Sequence, residues 1–309
     1  MEFLVTGGVG FIGSHIVETL VANGDTVTIL DNFVTGKKEN IHSVIDKIEL
    51  IQGSINDFDL LRNLFKNKDG VFHQAALASV QESFVKPAEY HTVNVKGTEN
   101  ILKLAKEFGI KVVYASSSSV YGNPIRIPIH EDDPKNPINP YAQTKLDDEN
   151  LAIKYSKEGV RVIGLRYFNV FGERQSEQYA GVIKKFLKRV RNNEPPIVNG
   201  DGSQTRDFVY VGDVVNANIL AMKSDVSCGF FNIGTNSTIS VLELANLIIS
   251  AFGLNLKPIH GPPMPGDVQT TRADISLAKK VLGWEPKTEI RQWLYDTISA
   301  KTNLDSITN

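Results

Sequence analysis

Short apolar runs alternate along the chain with longer stretches whose apolar residues recur at helical spacing. The runs lie at residues 3–5, 26–30, 48–51, 71–73, 111–114 and 161–166, and the helical patterns lie near 14–22, 57–67, 88–108 and 142–158. Runs this short and this apolar are typical of parallel strands that are buried on both faces. The alternation predicts an α/β fold built on a doubly wound parallel sheet.

The pattern changes after Phe168, where turn-rich sequence such as Pro195-Pro196 and Gly200-Asp-Gly202 replaces the regular alternation. The change predicts a second, smaller mixed α/β domain, as expected for a chain of 309 residues. A strand-like run at 208–211 and a helical pattern at 214–222 return to the first domain. We therefore expect residues 1–167 plus about 207–232 in the first domain, and 168–206 plus about 233–309 in the second.

A glycine-rich turn, Gly7-Gly-Val-Gly10-Phe-Ile-Gly13, lies between the first strand and the first helix. In such a turn the first glycine permits the bend, the second lets backbone approach a pyrophosphate, and the third lets the helix pack on the strand. The helix N-terminus then offers N–H groups and a positive dipole end to the phosphates. The spacing is one residue longer than the common Gly-x-Gly-x-x-Gly, but its context predicts a Rossmann dinucleotide site.

Asp31 ends the second strand, about 20 residues beyond the turn, where an acid binds the adenosine ribose hydroxyls. A carboxylate there repels a 2′-phosphate, so the sequence favours NAD over NADP. Lys37 and Lys38 follow in the next loop and weaken that preference, although solvated lysines are common in loops.

Tyr141 and Lys145 are four residues apart in a helical pattern, so they share one face of the helix. An unperturbed tyrosine titrates near ~10 and is a poor base at neutral pH, but a nearby cation stabilises the phenolate. With Ser117 upstream and a dinucleotide turn at the start of the chain, the pair predicts a proton-transfer site.

The composition of the chain bears on its binding partners, its cellular compartment and the presence of a metal site. The 33 basic and 35 acidic side chains give a net charge of −2 without long runs of either sign, which does not indicate a nucleic-acid or membrane surface. Cys228 is the only cysteine, so we expect no intramolecular disulfide and a reducing cytoplasm. A strand that begins at residue 2 predicts no signal peptide, the lack of an apolar stretch near ~18 residues predicts no membrane span, and six scattered histidines predict no metal site.

Further ordered motifs extend over essentially the whole chain. They are the turn at 7–13, Asp31-Asn32, His73-Gln-Ala-Ala76, Asn94-Val-Lys-Gly-Thr98, residues 116–122, Tyr141 with Lys145, residues 166–172, residues 200–202, Arg206-Asp207, Gly266-Asp267 and Ala273-Asp-Ile275. Together they resemble the extended short-chain dehydrogenase/reductases, and among them the NAD-dependent epimerase/dehydratase family of nucleotide-sugar enzymes. The pattern is most similar to UDP-glucose and UDP-N-acetylglucosamine 4-epimerases.

The resemblance implies NAD as cofactor, a UDP-sugar as substrate and three catalytic residues, Ser117, Tyr141 and Lys145. It implies NAD contacts from Gly7, Gly10, Phe11, Ile12, Gly13, Asp31, Asn32, Gly36, Ile55, Gln74, Ala75, Ala76, Asn94, Lys145 and Tyr167. It implies substrate contacts from Ser117, Ser118, Tyr141, Asn169, Val182, Val198, Arg206 and Thr271. The first domain is then the NAD-binding domain and the second binds the nucleotide sugar.

One segment distinguishes the reactions of the family. The 4,6-dehydratases carry Thr-Asp-Glu before Val-Tyr-Gly, and related UDP-glucuronate decarboxylases usually keep the Glu, whereas this chain has Ser117-Ser118-Ser119. Elimination of water lacks its acid–base pair here, which leaves C4 epimerisation. By similarity, Tyr141 as phenolate removes the O4 proton while the C4 hydride passes to NAD+, and the 4-keto sugar turns over before the hydride returns. Ser117 holds O4, and Lys145 binds the nicotinamide ribose and keeps the Tyr141 pKa low.

Two positions depart from the family pattern. Many epimerases have Arg-x-Gly-Asp where this chain has Met264-Pro-Gly-Asp267, so a phosphate-binding arginine is missing and Arg272 is one candidate to replace it. Ser54 stands where relatives have an Asp that contacts adenine, so either Asp57 or a backbone amide takes that role.

The sequence constrains the identity of the sugar and the oligomeric state less than it constrains the cofactor. Galactose-only enzymes place a tyrosine where this chain has Thr271, and the smaller side chain leaves room for an N-acetyl group. UDP-glucuronate 4-epimerase, another NAD-dependent sugar-nucleotide dehydrogenase or reductase, and a non-catalytic NAD sensor remain alternatives. Family members often pair through two helices, here 88–108 and 142–158, which predicts a homodimer.

Overall fold

The structure, a computed structural model, describes residues 1–175, 181–264 and 268–307. Its strands are β1 (Glu2–Thr6), β2 (Thr26–Asp31), β3 (Ile48–Gln52), β4 (Gly70–His73), β5 (Lys111–Ser117), β6 (Val162–Tyr167), β7 (Asn169–Phe171), β8 (Ile197–Asn199), β9 (Thr205–Arg206), β10 (Phe208–Tyr210), β11 (Cys228–Ile233), β12 (Ile239–Ser240) and β13 (Ile259–Gly261).

The α-helices are α1 (Phe11–Ala22), α2 (Phe58–Leu64), α3 (Val80–Val85), α4 (Pro87–Tyr90), α5 (Gly97–Phe108), α6 (Pro140–Lys157), α7 (Val182–Arg191), α8 (Val211–Lys223), α9 (Val241–Ala251), α10 (Ser276–Leu282) and α11 (Ile290–Ile307). Two 3₁₀ segments occupy Lys38–Lys47 and Ser118–Tyr121, and a π-helical turn at His91–Lys96 joins α4 to α5.

Seven parallel strands form the central sheet in the order β11-β6-β5-β4-β1-β2-β3. Two hydrophobic clusters cover its faces, one around α1 and α8 and the other around α5 and α6. Helices on both faces explain why the strand sequences are almost continuously apolar. The predicted doubly wound Rossmann sheet is confirmed, and the six predicted runs are six of its strands.

Two local features differ from the sequence expectation. The seventh strand, β11, was not among the predicted runs; it pairs in parallel with β6 from Cys228↔Val162 to Ile233↔Tyr167. The single helical pattern at 88–108 divides into α4, the π-helical turn and α5, because the backbone widens at His91–Lys96.

A third hydrophobic cluster lies outside the sheet, around α7 and α9, with Phe171, Phe186, Val198 and Leu294 in its interior. Short two-stranded pairings, β10·β7, β12·β9 and β13·β8, connect this region. The helical pattern predicted to return to the first domain is α8, whose Val214 and Ala217 pack in the cluster that contains α1. The domain limits themselves stay a prediction.

The register of the sheet brings the candidate residues to one edge. Thr6 is level with His73 across β1 and β4, and Ser117 is level with Tyr167 across β5 and β6. All of these residues lie at carboxyl ends of parallel strands, where ligands bind in folds of this type. None of the helices in the described ranges is both long enough and apolar enough to cross a bilayer.

Candidate active site

The glycine turn is packed so closely that a side chain would not fit at Gly7 or Gly13. Gly7 has φ +70°, and a Cβ on it would lie 2.7 Å from the backbone N of Ala75. A Cβ on Gly13 would lie only 2.1 Å from the carbonyl O of Gly7. Gly10 precedes α1 and provides no side-chain cap, so the first turn of the helix keeps its N–H groups for an anion. The turn therefore fits a dinucleotide pyrophosphate.

Asp31 supports this turn from the end of β2. Its carboxylate accepts hydrogen bonds from Val9 N (3.1 Å) and Phe33 N (2.8 Å). Burial raises the pKa of Asp31, and these backbone hydrogen bonds oppose the rise. The side chain also lines the cleft, so one carboxylate both holds the turn and faces the expected ribose position.

Tyr141 and Lys145 project from the first turns of α6. Asn139 caps this helix by accepting from Ala142 N (2.8 Å), and Pro140 occupies its first position, so the start of the helix is fixed. The Lys145 ammonium donates to Ala115 O (3.0 Å). Lys145 is thereby held against β5, beside the strand that carries Ser117.

Ser117 lies at the end of β5 and receives two hydrogen bonds from one neighbour. Ser119 N and Ser119 Oγ lie 3.2 Å and 2.8 Å from Ser117 Oγ. Because both of these contacts use the oxygen of Ser117 as acceptor, its own hydroxyl hydrogen is left to donate to a substrate oxygen.

A buried ion pair fixes α6 to the sheet behind these residues. Arg166 of β6 donates to both carboxylate oxygens of Glu149 at 2.8 Å, and Ser116 Oγ donates to the same carboxylate at 2.7 Å. Arg166 also donates to the Tyr121 hydroxyl at 2.7 Å. By sequence Arg166 stands out only as part of a motif, and Glu149 gives no signal at all, because a glutamate in a polar helix shows no sign of burial.

One continuous cleft of about 910 Å³ contains most of the predicted site residues. Those that line it are Gly7, Gly10, Phe11, Ile12, Gly13, Asp31, Asn32, Ile55, Gln74, Ala75, Ala76, Ser117, Ser118, Tyr141, Lys145, Tyr167, Asn169, Val182, Arg206 and Thr271. The volume is at the upper end of the range for small-molecule sites, as two ligands bound side by side require.

Three predicted site residues do not line the cleft. Gly36 packs on the turn from behind, where a Cβ would lie 2.6 Å from the Val9 side chain. Asn94 is buried, and its amide bonds Leu77 N (2.8 Å), Leu77 O (3.0 Å) and Thr144 Oγ1 (3.0 Å), so it ties the loop after β4 to α6. Val198 is fully buried in the third hydrophobic cluster. These residues support the cleft wall.

The structure also shows where the residues lie that could replace the missing phosphate-binding arginine. Arg272 donates to Asn236 O (3.0 Å) and Asn236 Oδ1 (2.9 Å) and does not line the cleft, which does not suit it to replace a phosphate-binding arginine. Among the described residues, Arg206, Lys185 and Lys145 are the cations that line the cleft. Met264 lines it as well, whereas Pro265, Gly266 and Asp267 lie outside the described residues.

Asp57 is occupied elsewhere, because its carboxylate caps α2 by accepting from Leu60 N (3.0 Å). Ser54 and Ile55 line the cleft instead, which favours a backbone contact to adenine over the Asp57 alternative. Thr271 lies beside Asn169, whose Nδ2 is 3.4 Å from Thr271 Oγ1, so the structure brings together these two residues, which the resemblance assigns to the substrate.

Comparison with known proteins identifies the family. Residues 3–234 match the NAD dependent epimerase/dehydratase family. The chain belongs to this family. NAD is thus confirmed as the cofactor, and the chain is an NAD-dependent enzyme.

Individual relatives cover nearly the whole chain. A protein from Methanocaldococcus jannaschii, named provisionally as a UDP-glucose 4-epimerase, is 41% identical over 97% of this chain and 98% of its own. UDP-glucose 4-epimerase from Thermotoga maritima, solved with UDP-glucose, superposes with a TM-score of 0.93 at 36% identity, covering 98% of this chain and 99% of that one.

Other sugar-nucleotide enzymes are nearly as similar. UDP-N-acetylglucosamine 4-epimerase from Methanobrevibacter ruminantium, solved with UDP-N-acetylmuramic acid, has a TM-score of 0.92 at 35% identity and 98% coverage of both chains. UDP-glucuronic acid decarboxylase 1 of Danio rerio is 37% identical over 96% of this chain and 72% of its own. The relatives therefore include both epimerases and decarboxylases that act on UDP-sugars.

Proposed function

We propose that this enzyme is a 4-epimerase of UDP-hexoses, acting on UDP-glucose and UDP-galactose and extending to the N-acetylated pair UDP-GlcNAc and UDP-GalNAc. The observation that carries the proposal is the environment of Ser117, Tyr141 and Lys145. These three side chains share the cleft, and Ser119 contributes a hydroxyl where elimination would need a carboxyl group.

The distribution of acids in the cleft supports this reaction. Among the described residues, Asp31 and Glu89 are the acidic side chains that line the cleft. Asp31 is held at the dinucleotide end by Val9 and Phe33, and Glu89 is an exposed side chain of α4 paired with Lys86 at 3.5 Å. Serines stand at 118 and 119, where the dehydratases carry their Asp and Glu, so removal of water across C5 and C6 lacks that acid–base pair.

The proposed chemistry assigns one task to each residue. Tyr141, as phenolate, accepts the O4 proton, and Ser117 donates a hydrogen bond to O4 with the hydrogen that Ser119 leaves available. The Lys145 ammonium stabilises the phenolate, and Asn169 and Arg206 hold the nucleotide diphosphate. NAD, when bound, supplies reversible hydride acceptance at C4. Inversion at C4 would also require the 4-keto sugar to turn in the cleft before the hydrogen returns to C4.

Incubation of the purified enzyme with UDP-glucose, UDP-N-acetylglucosamine and UDP-glucuronate, followed by NMR of the 4-epimers, tests the proposal directly. We expect interconversion at C4 with no net formation of NADH. Stoichiometric NADH would indicate a dehydrogenase, release of CO₂ from UDP-glucuronate would indicate a decarboxylase, and tight NAD binding without turnover of any sugar would indicate a sensor.

Tyr141→Phe removes one hydroxyl and keeps the ring. We expect turnover to fall by about 10²–10⁴-fold, the usual contribution of acid–base catalysis, while NAD stays bound. Wild-type turnover in this variant would show that another group is the base.

We also propose a homodimer that forms through the helical segments 88–108, which include α5, and 142–158, which include most of α6, with a two-fold axis between the subunits. Sedimentation at micromolar concentration tests this assembly, and a monomer there would contradict it. A cytoplasmic location stays a prediction.

A further inference from the structure

Asp148 is a buried carboxylic acid directly behind the catalytic lysine. It is fully buried, and its Oδ2 lies 3.3 Å from Lys145 Nζ, one turn earlier on α6. Its other oxygen, Oδ1, has no hydrogen-bond partner, and among the residues that the structure describes it is one of three buried side-chain atoms in that condition. An acid placed this way contributes little to folding, because its burial is compensated only in part.

Few other charged groups surround Asp148 and Lys145. The groups that face Asp148 are Lys145 and Asp147 of its own helix, Thr98 of α5 and Tyr114 of β5. His73 of β4 lies beyond Thr98, with its Nε2 3.0 Å from Thr98 Oγ1. Burial, opposed by Lys145, raises the pKa of Asp148 to about 7. Burial and the Lys145 charge lower the pKa of His73 to about 3, so His73 is neutral. Lys145 is the cation that Asp148 contacts.

We propose that Asp148 is a positioning residue for the reaction: it fixes the Lys145 ammonium and offsets part of its charge, and thereby sets how readily Tyr141 ionises. The inference deepens the proposed function and rests on it. Lys145 lies between the two groups on one face of α6, four residues after Tyr141 and three before Asp148. A negative charge behind the lysine weakens the attraction that the lysine exerts on a phenolate in front of it.

The helix geometry gives the size of the effect. Tyr141 and Asp148 are seven residues apart, which corresponds to about 10 Å along an α-helix. At that distance, and at the effective dielectric constant of about 20 that suits partly buried pairs, one charge shifts a neighbouring titration by about one pH unit. Removing the Asp148 charge should therefore make Tyr141 ionise at lower pH.

Asp148→Asn is the test, because the amide keeps the shape and an oxygen for Lys145 while it removes the charge. Asp148 carries its charge above its pKa of about 7, so we expect an acidic limb that lies in this range, in the kcat profile of the NAD-loaded enzyme, to move down by about half a unit to one unit, with NAD still bound. Asp147→Asn is the matched control, since it removes the same charge from the neighbouring position, where Asp147 accepts from Gln143 (2.9 Å). In this control the limb should stay at the wild-type pH.

A second readout separates this inference from the proposed reaction. Tyrosinate absorbance, taken as the difference between each protein and its Tyr141→Phe counterpart, follows Tyr141 without any substrate. A lower titration midpoint in Asp148→Asn supports the inference even if no tested sugar is turned over. An unchanged or raised midpoint, with the limb unmoved, overturns it and leaves Asp148 a structural residue. If the Asn variant does not fold, Asp148→Val, of similar shape and also uncharged, is measured against the same two criteria.

Discussion

Gly13→Ala tests whether the close packing of the glycine turn is required for the fold as well as for NAD. The new methyl carbon would lie 2.1 Å from the Gly7 carbonyl oxygen and 3.0 Å from Gly8 Cα. Both neighbours are backbone atoms, so α1 and the turn must separate by about 1 Å to reach an ordinary contact distance. The hydrogen bonds Gly10 N→Gly7 O (3.1 Å) and Ser14 N→Gly10 O (3.2 Å) lie in the displaced segment.

The magnitude follows from two opposing effects. Overpacking against a rigid neighbour costs about 1–3 kcal/mol, and the upper end applies here because backbone cannot rotate away. Alanine gains about 1 kcal/mol over glycine inside a helix. The free energy of unfolding should therefore fall by about 2 kcal/mol, which corresponds to a Tm lower by about 4 °C for a large domain. NAD affinity should fall at least about tenfold, since the displaced turn carries the pyrophosphate site.

Gly10→Ala is the matched control in the same turn. Its backbone, with φ −77° and ψ −174°, suits alanine, and a Cβ there would meet only Gly7 O, at 3.1 Å. We expect an unfolding free energy within about 1 kcal/mol of wild type but weaker NAD binding, because the methyl enters the cleft. Urea denaturation of the NAD-free proteins and NAD titration measure the two quantities separately. If Gly13→Ala is as stable as Gly10→Ala, the steric reasoning for Gly13 is wrong.

Two further predictions concern the sugar and the pH dependence of stability. Thr271→Tyr should reduce turnover of UDP-N-acetylglucosamine by about tenfold or more and keep most of the turnover of UDP-glucose, because a ring at this cleft position occupies the space of an N-acetyl group. Thr270→Tyr is the control for this variant. Equal effects of Thr271→Tyr on both sugars would leave the selectivity unexplained. Because the pKa of Asp148 is raised to about 7, its contribution to the free energy of unfolding falls as the pH rises from about 4 to 7. Because the pKa of His73 is lowered to about 3, its contribution falls as the pH decreases from about 6.5 to 3. These two contributions change in opposite directions with pH. Urea denaturation should therefore show that the free energy of unfolding of Asp148→Asn rises with pH between about 4 and 6.5 more steeply than that of wild type. Equal slopes for the two proteins would contradict these pKa assignments.

Much of the fold and site could be predicted because their signals are local. Six strands of the sheet appear in the sequence as apolar runs, since burial on both faces leaves few polar positions. The glycine turn, Asp31 and the Tyr141–Lys145 pair have fixed spacings that a strand, a turn and a helix impose. The strand β11 lacked such a signal, because its sequence, Cys228-Gly-Phe-Phe-Asn-Ile233, is interrupted by a glycine and an asparagine, and its pairing with β6 is a contact between distant segments.

The partners of polar side chains were decided by the tertiary structure. Arg272 was a reasonable phosphate ligand by sequence position, but the fold directs it to Asn236. Asn94 is buried between the loop after β4 and α6, where its amide bonds Leu77 and Thr144 because unpaired amide groups would be costly there, and the sequence did not indicate these partners.

The two adjacent aspartates of α6 show most clearly that the sequence alone does not determine the partners of polar side chains. Asp147 and Asp148 are chemically identical in the sequence, and successive residues point about 100° apart around a helix. Asp147 accordingly pairs with Gln143 on the outer side of the helix, while Asp148 is buried against the sheet beside Lys145. The sequence determined that acidic residues follow Lys145, and only the packing of α6 on the sheet decided which of them shares the low-dielectric surroundings of Lys145 and can influence its charge.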